Sequence, residues 1–251
     1  MDSQPQKKFN ILLIGDNCID IYQYGTVDRL SPEAPVPVFV PKQQESKPGM
    51  AGNVYTNLAN LGCHVNFLYG EISKKTRLID QRSQQQIARI DEDTTSNPIE
   101  FLSEIPKVYD AIVVSDYNKG TVSYELIEEL IKTDIPVFVD TKKTDLKRFQ
   151  GAWVKINELE HSRIKSECTG LIVTRGANGS SVIHQGIDCP APLVEVSDVT
   201  GAGDTFLAAL CYEYLNTNKI QDAIAFANKA SSITVQHLGV YAPTLQEIQC
   251  A

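Results

Sequence analysis

At 251 residues the chain is long enough to bury a full core and would be cramped as two unrelated domains. Its 42% apolar and 22% charged residues are those of an ordinary soluble globular protein, and no apolar run approaches the roughly 18 residues of a membrane span. A formal charge of −8 argues against a general nucleic-acid binder, which would need positive surface to hold phosphates. The polar opening MDSQPQKK is followed by no apolar leader core, and the six scattered cysteines have no C-x-x-C spacing and read as reduced thiols. A cytosolic location is expected, with no nucleic-acid or membrane partner.

Phe9–Ile14 (FNILLI) is a continuous apolar run that reads as a strand buried on both faces and ending at Gly15-Asp16. Asp16, Asn17 and Asp20 would then lie where open α/β sheets bind ligands, as candidate hydroxyl-binding groups, or would form a turn and helix cap. Prolines at 32, 35, 37 and 41 exclude a helix from Tyr24–Pro41, while Val36, Val38 and Val40 alternate as in an edge strand. Gln84–Asp91 (QQQIARID) has the same exposed-strand character. The two pieces, about residues 22–42 and 75–92, are expected to form a small β lid within a single domain.

Lys47–Gly62 reads as a glycine turn feeding a short helix with Asn53 in its first turn, and His64–Tyr69 as the next strand. Glu71–Arg82 is polar and basic. With Lys74, Lys75, Arg77, Arg82 and then Arg89, it is either a solvated face or a grip on a substrate phosphate. From Ala111, short β-branched runs alternate with helical segments: AIVVSDY, helix Ser123–Lys132, PVFVD, Trp153–Asn157 and LIVTRG. That alternation is the signature of a parallel sheet covered by helices, and the polar run ends (Ser115-Asp116, Asp140, Asn157, Thr174-Arg175-Gly176) should share one sheet edge. Ser181–His184 and Leu193–Val196 are read as further strands, followed by helices Thr205–Asn216 and Ile220–Gln236 and a short helix after Pro243.

Val194–Leu210 (VEVSDVTGAGDTFLAAL) is the stretch richest in chemistry. Gly201 and Gly203 leave the backbone open, so that the N–H groups of Gly201, Ala202 and Gly203 can face an anion at the positive end of a helix. Asp204 beside such a hole is either a helix cap or a base that takes a proton from an attacking hydroxyl. No G-x-x-x-x-G-K-[ST] occurs, and no third glycine completes G-x-G-x-x-G, which disfavours a P-loop or a dinucleotide site.

Taken in order, GMAGN at Gly49–Asn53, NELE at Asn157–Glu160, VTRGANG at Val173–Gly179 and DVTGAGD at Asp198–Asp204 resemble the PfkB, or ribokinase-like, carbohydrate kinase family. DRLSPEAPVPVF, KTR with QQQIARID, SDYNKG and DTKKTD sharpen the likeness to the D-glycero-β-D-manno-heptose 7-phosphate kinases. The resemblance implies a three-layer α/β/α sandwich with a mostly parallel sheet, a β lid that often mediates homodimers, and ATP with Mg²⁺, sometimes with K⁺. It implies Asp204 as catalytic base, Gly201, Ala202 and Gly203 as anion hole, and Asn157 and Glu160 holding the metal through water. Asp16, Asp20, Asn53 and Asp116 would serve the sugar, and Arg29, Lys75, Arg77, Arg89 and Lys119 its distal phosphate. Lys142, Asn157, Thr174, Gly176, Thr200 and Asn228 would lie around the nucleotide, with Asp198 near a monovalent cation. The sequence departs from that pattern in two contractions, after Gly70 and after Glu160, and in Met50, Lys143 and Lys155-Ile156. A kinase of another sugar, or a silent binding relative, are the alternatives.

Overall fold

A computed structural model describes residues 8–100 and 108–251; residues 1–7, most of the polar N-terminal stretch, and 101–107 lie outside it. Strand β1 (Asn10–Leu30) is the spine. Its first part pairs in parallel with β3 (His64–Asp80) on one side and β5 (Ala111–Asp116) on the other. After Gly15 the β5 pairing ends, and β2 (Pro37–Met50) takes that side in antiparallel fashion from Asn17 onward. β3 continues beside β1 as far as Asp80 and is flanked by β4 (Gln86–Glu92), antiparallel, so residues beyond 17 of β1 stand in a four-stranded extension of the main sheet.

This corrects two sequence expectations. Gly15-Asp16 neither ends the first strand nor forms a helix cap, and Glu71–Arg82 is mostly strand, continuous with His64–Tyr69. The prolines at 37, 41 and 48 fall in β2, which lies outside the β1–β3–β4 path, where their missing N–H groups are tolerated.

The remaining strands, β6 (Val137–Thr141), β7 (Trp153–Asn157) and β8 (Leu171–Thr174), join β5 in parallel, and β9 (Ser180–Val182) and β10 (Ile187–Cys189) close that edge in antiparallel fashion. Leu193–Val196 forms no strand. Pro190 and Pro192 remove two ladder donors just before it, and Leu193 is 96% exposed.

Helices α1 (Ala51–Asn60), α4 (Ala202–Thr217) and α5 (Ile220–Thr234) pack on one face against Ile11, Leu13, Val113 and Phe138. The opposite faces of the same strands, Leu12, Ile14, Val114 and Val139, meet α2 (Tyr124–Ile131). The period of two therefore buries both faces and builds three layers, the α/β/α sandwich that the alternating runs implied. A one-turn helix α3 (Glu158–His161) follows β7, and α6 (Leu245–Cys250) ends the chain. The carboxyl ends of β5, β6, β7 and β8 converge near the start of α4, with Tyr117 after β5 reaching Asp204, Asp140 and Lys155 lying under Gly203, and Thr174 beside the same turn.

Candidate active site

Gly201 ends the extended lead-in at φ 81°, the left-handed region that favours glycine, and α4 starts at Ala202. A Cβ on Gly201 would lie 2.8 Å from Asn53 Nδ2, and one on Gly203 2.7 Å from Lys155 Nζ, so both glycines leave room for polar side chains pressed against the turn. Of the three expected hole donors, the Ala202 N–H already donates to the Val199 carbonyl at 3.3 Å, a long bond that loosens readily.

Asp204, the third residue of α4, is only 5% exposed. Asn53 Nδ2 donates to its Oδ2 and the Tyr117 hydroxyl to its Oδ1, each at 2.9 Å. Asn57 steadies Asn53 by donating to the Asn53 carbonyl at 2.9 Å and to its Oδ1 at 3.2 Å. Burial is the main force on the Asp204 carboxyl and pushes its pKa up to about 6, against the pull of the Asn53 hydrogen bond. A carboxylate poised there can accept a proton near neutral pH.

Beneath the turn, Lys155 Nζ and Asp140 Oδ2 form a buried ion pair at 2.7 Å, and Asp140 Oδ1 is buried with no partner among the described residues. Lys142 pairs with Glu160 and stands 5.2 Å from the centre of the Tyr117 ring. Burial works against the charge of Lys142, but Asp140 and Glu160 outweigh it and hold its pKa up. Asn157 and Glu160 are a capping box on α3: Asn157 Oδ1 accepts from the Glu160 N–H and Glu160 Oε2 from the Asn157 N–H, both at 2.8 Å. Among the described residues no three His, Cys, Asp or Glu side chains form a metal cage. The oxygen donors Glu160 and Asn157, with an unpartnered buried carboxylate oxygen nearby, fit a hard cation that arrives with its own waters and anionic ligands.

Other expected residues serve neighbouring loops. Asp16 accepts from the N–H groups of Tyr117 (2.8 Å), Lys119 (3.0 Å) and Thr121 (3.3 Å), and so shapes the 117–121 loop. Asp116 is fully buried against Thr141, Lys143 and the Asn118 N–H, which makes it a brace rather than part of an open pocket. Lys143 is buried with it as its ion-pair partner at 3.0 Å. Asp198 accepts from the N–H and hydroxyl of Thr200 and from the Gly239 N–H, leaving neither oxygen unpartnered for a cation. These donors lower its pKa although burial opposes them.

An apolar cleft of about 220 Å³ opens beside the glycine turn, walled by Val194, Val196, Val199, Phe206 and Val235 and reached by Thr174 and Gly176. Asn228 borders it with its amide turned to the wall, donating to the Cys189 carbonyl and accepting from Ser180.

The sheet extension meets the loop beside the glycine turn, with Lys47 Nζ 3.5 Å from the Val240 carbonyl and Tyr22 close to Gly239. Register places Asp20 opposite Lys75 and Tyr22 opposite Arg77 across β1 and β3, and Arg77 opposite Arg89 across β3 and β4. Lys75, Arg77 and Arg89 thus share one face with Asp20. Arg77 pairs with Asp20 and stacks on Tyr22, at 5.3 Å from the ring centre, while Arg89 forks onto Asp91. Arg29 is exposed near the far end of β1, away from this group, and Lys119 pairs with Asp93 at 2.5 Å. Tyr117, Lys155 and Asp140 were given no role from sequence, although Tyr117 sits in the SDYNKG motif.

The architecture matches solved structures of the ribokinase class. Arabidopsis thaliana ribokinase complexed with ribose and ATP superposes with a TM-score of 0.73 at 17% identity, over 97% of this chain and 98% of that one. Phosphofructokinase-2 from Escherichia coli, in complex with potassium, gives 0.70 at 14% identity, over 97% and 98%. Residues 150–247 match the pfkB family of carbohydrate kinases. The chain is 32% identical to the bifunctional protein HldE of Aliarcobacter butzleri, over 96% of this chain and 64% of that protein. With the protein of the same name from Helicobacter pylori strain G27 the identity is 32%, over 95% and 65%. The chain therefore spans under two thirds of these relatives' length. The alignment with the first runs to 306 positions, more than the chain has residues, so relatives carry segments that this chain lacks.

Proposed function

We propose that this chain is an ATP- and Mg²⁺-dependent sugar kinase that phosphorylates O1 of D-glycero-β-D-manno-heptose 7-phosphate. The observation that carries the reading is Asp204: a buried carboxylate with a pKa raised to about 6, set at a helix N-terminus between an apolar cleft and a basic, polar face.

In this reading the adenine lies in the apolar cleft and the γ-phosphate meets the Gly201–Gly203 turn, where Lys155 adds a fixed positive charge. Asp204 accepts the proton of the sugar hydroxyl as that oxygen attacks phosphorus, and the ADP oxygen leaves. Mg²⁺, when bound, neutralises phosphate charge, with Asn157 and Glu160 holding its waters. Asp20 and Asn53 orient the sugar. Lys75, Arg77 and Arg89 are grouped as a binding face for its 7-phosphate, which favours a phosphorylated acceptor over a neutral one. The β1–β4 extension acts as a lid that excludes water, a competing acceptor. Its Lys47 Nζ reaches to 3.5 Å from the Val240 carbonyl across the site.

ADP formation with Mg²⁺·ATP and a panel of this heptose phosphate, sedoheptulose 7-phosphate, fructose 6-phosphate, ribose and adenosine tests the reading. Turnover confined to the heptose phosphate is expected. Turnover on another member would overturn the substrate, and none on any member, with ATP still bound, would overturn the kinase.

A further inference from the structure

Both oxygens of Asp204 are engaged, by two different kinds of donor. The Asn53 amide is fixed by Asn57 on α1 and can remain in place throughout a reaction. The Tyr117 hydroxyl is an O–H group at 2.9 Å from the carboxylate, which is the position and chemistry that a general base requires of its acceptor hydroxyl. Because Asp204 is almost closed to solvent, a second hydroxyl reaches Oδ1 when the phenol gives up its place.

The surroundings let it do so. Asp16 anchors the backbone on both sides of the loop through the N–H groups of Tyr117, Lys119 and Thr121, so the ring can turn while the chain holds. Lys142, the cation over that ring, is bound to Glu160 at the sheet edge and not to the tyrosine loop. Burial, reinforced by Asp204, pushes the Tyr117 phenol well above its ordinary range, so it stays protonated and is a poor phosphoryl acceptor.

We propose, on the kinase reading above, that Tyr117 is a positioning residue whose hydroxyl holds the acceptor's place on Asp204 in the unliganded enzyme and is exchanged for the sugar hydroxyl. The exchange discriminates between acceptors. Water gains too little from binding to displace a phenol, whereas a sugar held at several points by the lid face does displace it. Acceptor-free ATP hydrolysis is thereby suppressed, and no bond to Tyr117 forms or breaks.

Tyr117→Phe keeps the ring and removes only the hydroxyl. The charged groups near Asp204 are Asp140, which raises its pKa, Lys155, which lowers it, and Lys142, whose own pKa Asp204 helps hold up, and the substitution alters none of them. By calorimetry without nucleotide, the variant should bind D-glycero-β-D-manno-heptose 7-phosphate roughly 3- to 10-fold more tightly, since it has no hydrogen bond to break first. Its Mg²⁺·ATP hydrolysis without sugar should rise several-fold. In the unliganded protein, the Asp204 carboxyl followed by carbon NMR should titrate above the wild-type value of about 6, because a donor to the carboxylate is lost. Weaker sugar binding would make Tyr117 a direct sugar ligand and overturn the exchange, as would unchanged hydrolysis. An unmoved Asp204 titration would overturn it whether or not the protein is a kinase; absent turnover in the wild type overturns only the kinase reading.

Discussion

Asp204 faces opposing demands, because the burial that raises its basicity also disfavours the charged form that works. On the kinase reading the carboxylate is the active species, so turnover should fall as pH drops through about 6, the value to which burial raises it. A pH profile of kcat/KM should show an acidic limb there, and a limb near the ordinary carboxylate range would contradict the assigned burial. Asp204→Asn should lower kcat by roughly 10²–10⁴-fold with little change in ATP affinity, the usual worth of a general base. Equilibrium binding of ATP alongside steady-state rates checks both halves. Lys155 presents a second test. Truncation in Lys155→Met strands the Asp140 carboxylate in the interior, at a cost of about 3–5 kcal/mol, read as a lower midpoint in denaturant. Asp140→Asn in that background should recover much of the loss.

Among the elements, the long strands β1 and β3 decide how the site is covered. β1 leaves the main sheet as a buried run and β3 as a half-buried one, and both continue as strands of the four-stranded extension, carrying Asp20 on β1 and Lys75 and Arg77 on β3 to one face. Arg77→Ala and Arg89→Ala should raise KM for a phosphorylated sugar more than for its unphosphorylated analogue. Equal effects on the two would remove phosphate recognition from this face. Arg77→Ala should have the larger effect of the two, because it also releases Asp20 from its ion pair. The continuity of β1 was hidden in the sequence by Gly15-Asp16, which punctuates the apolar run as a turn would. Asp16 is tolerated in a strand only because three N–H groups from the 117–121 loop, a hundred residues away, receive its carboxylate.

For the molecule as a whole, the extension exposes Leu30 (64%), Val36 (51%) and Ile90 (50%), apolar groups on a part of the chain with few of its own to bury. A homodimer through the lid would cover them. Sedimentation should then give twice the 27.7 kDa chain mass, and Leu30→Glu with Ile90→Glu should give a monomer with an unchanged circular dichroism spectrum. A monomeric wild type would remove the lid as an interface. Among the described residues, no helix is long and apolar enough to cross a membrane.

The parallel sheet with its alternating helices from Ala111 to Thr174, and the glycine turn ahead of Asp204, could be read from the sequence, whereas the run-on of β1 and β3 and the strand Ile187–Cys189 could not. Apolar periodicity and backbone freedom are local properties, written within a few neighbouring residues. The ends of the polar runs at one edge followed from the same pattern. What the chain does with those polar groups was decided only by tertiary structure. Asp116 and Lys143 became a buried brace, Asp16 a loop anchor and Asn157–Glu160 a capping box, while Tyr117 and Lys155 came to the centre. A carboxylate's role depends on which donors surround it and how far water is excluded, and those are set by residues distant in sequence and adjacent only in the fold.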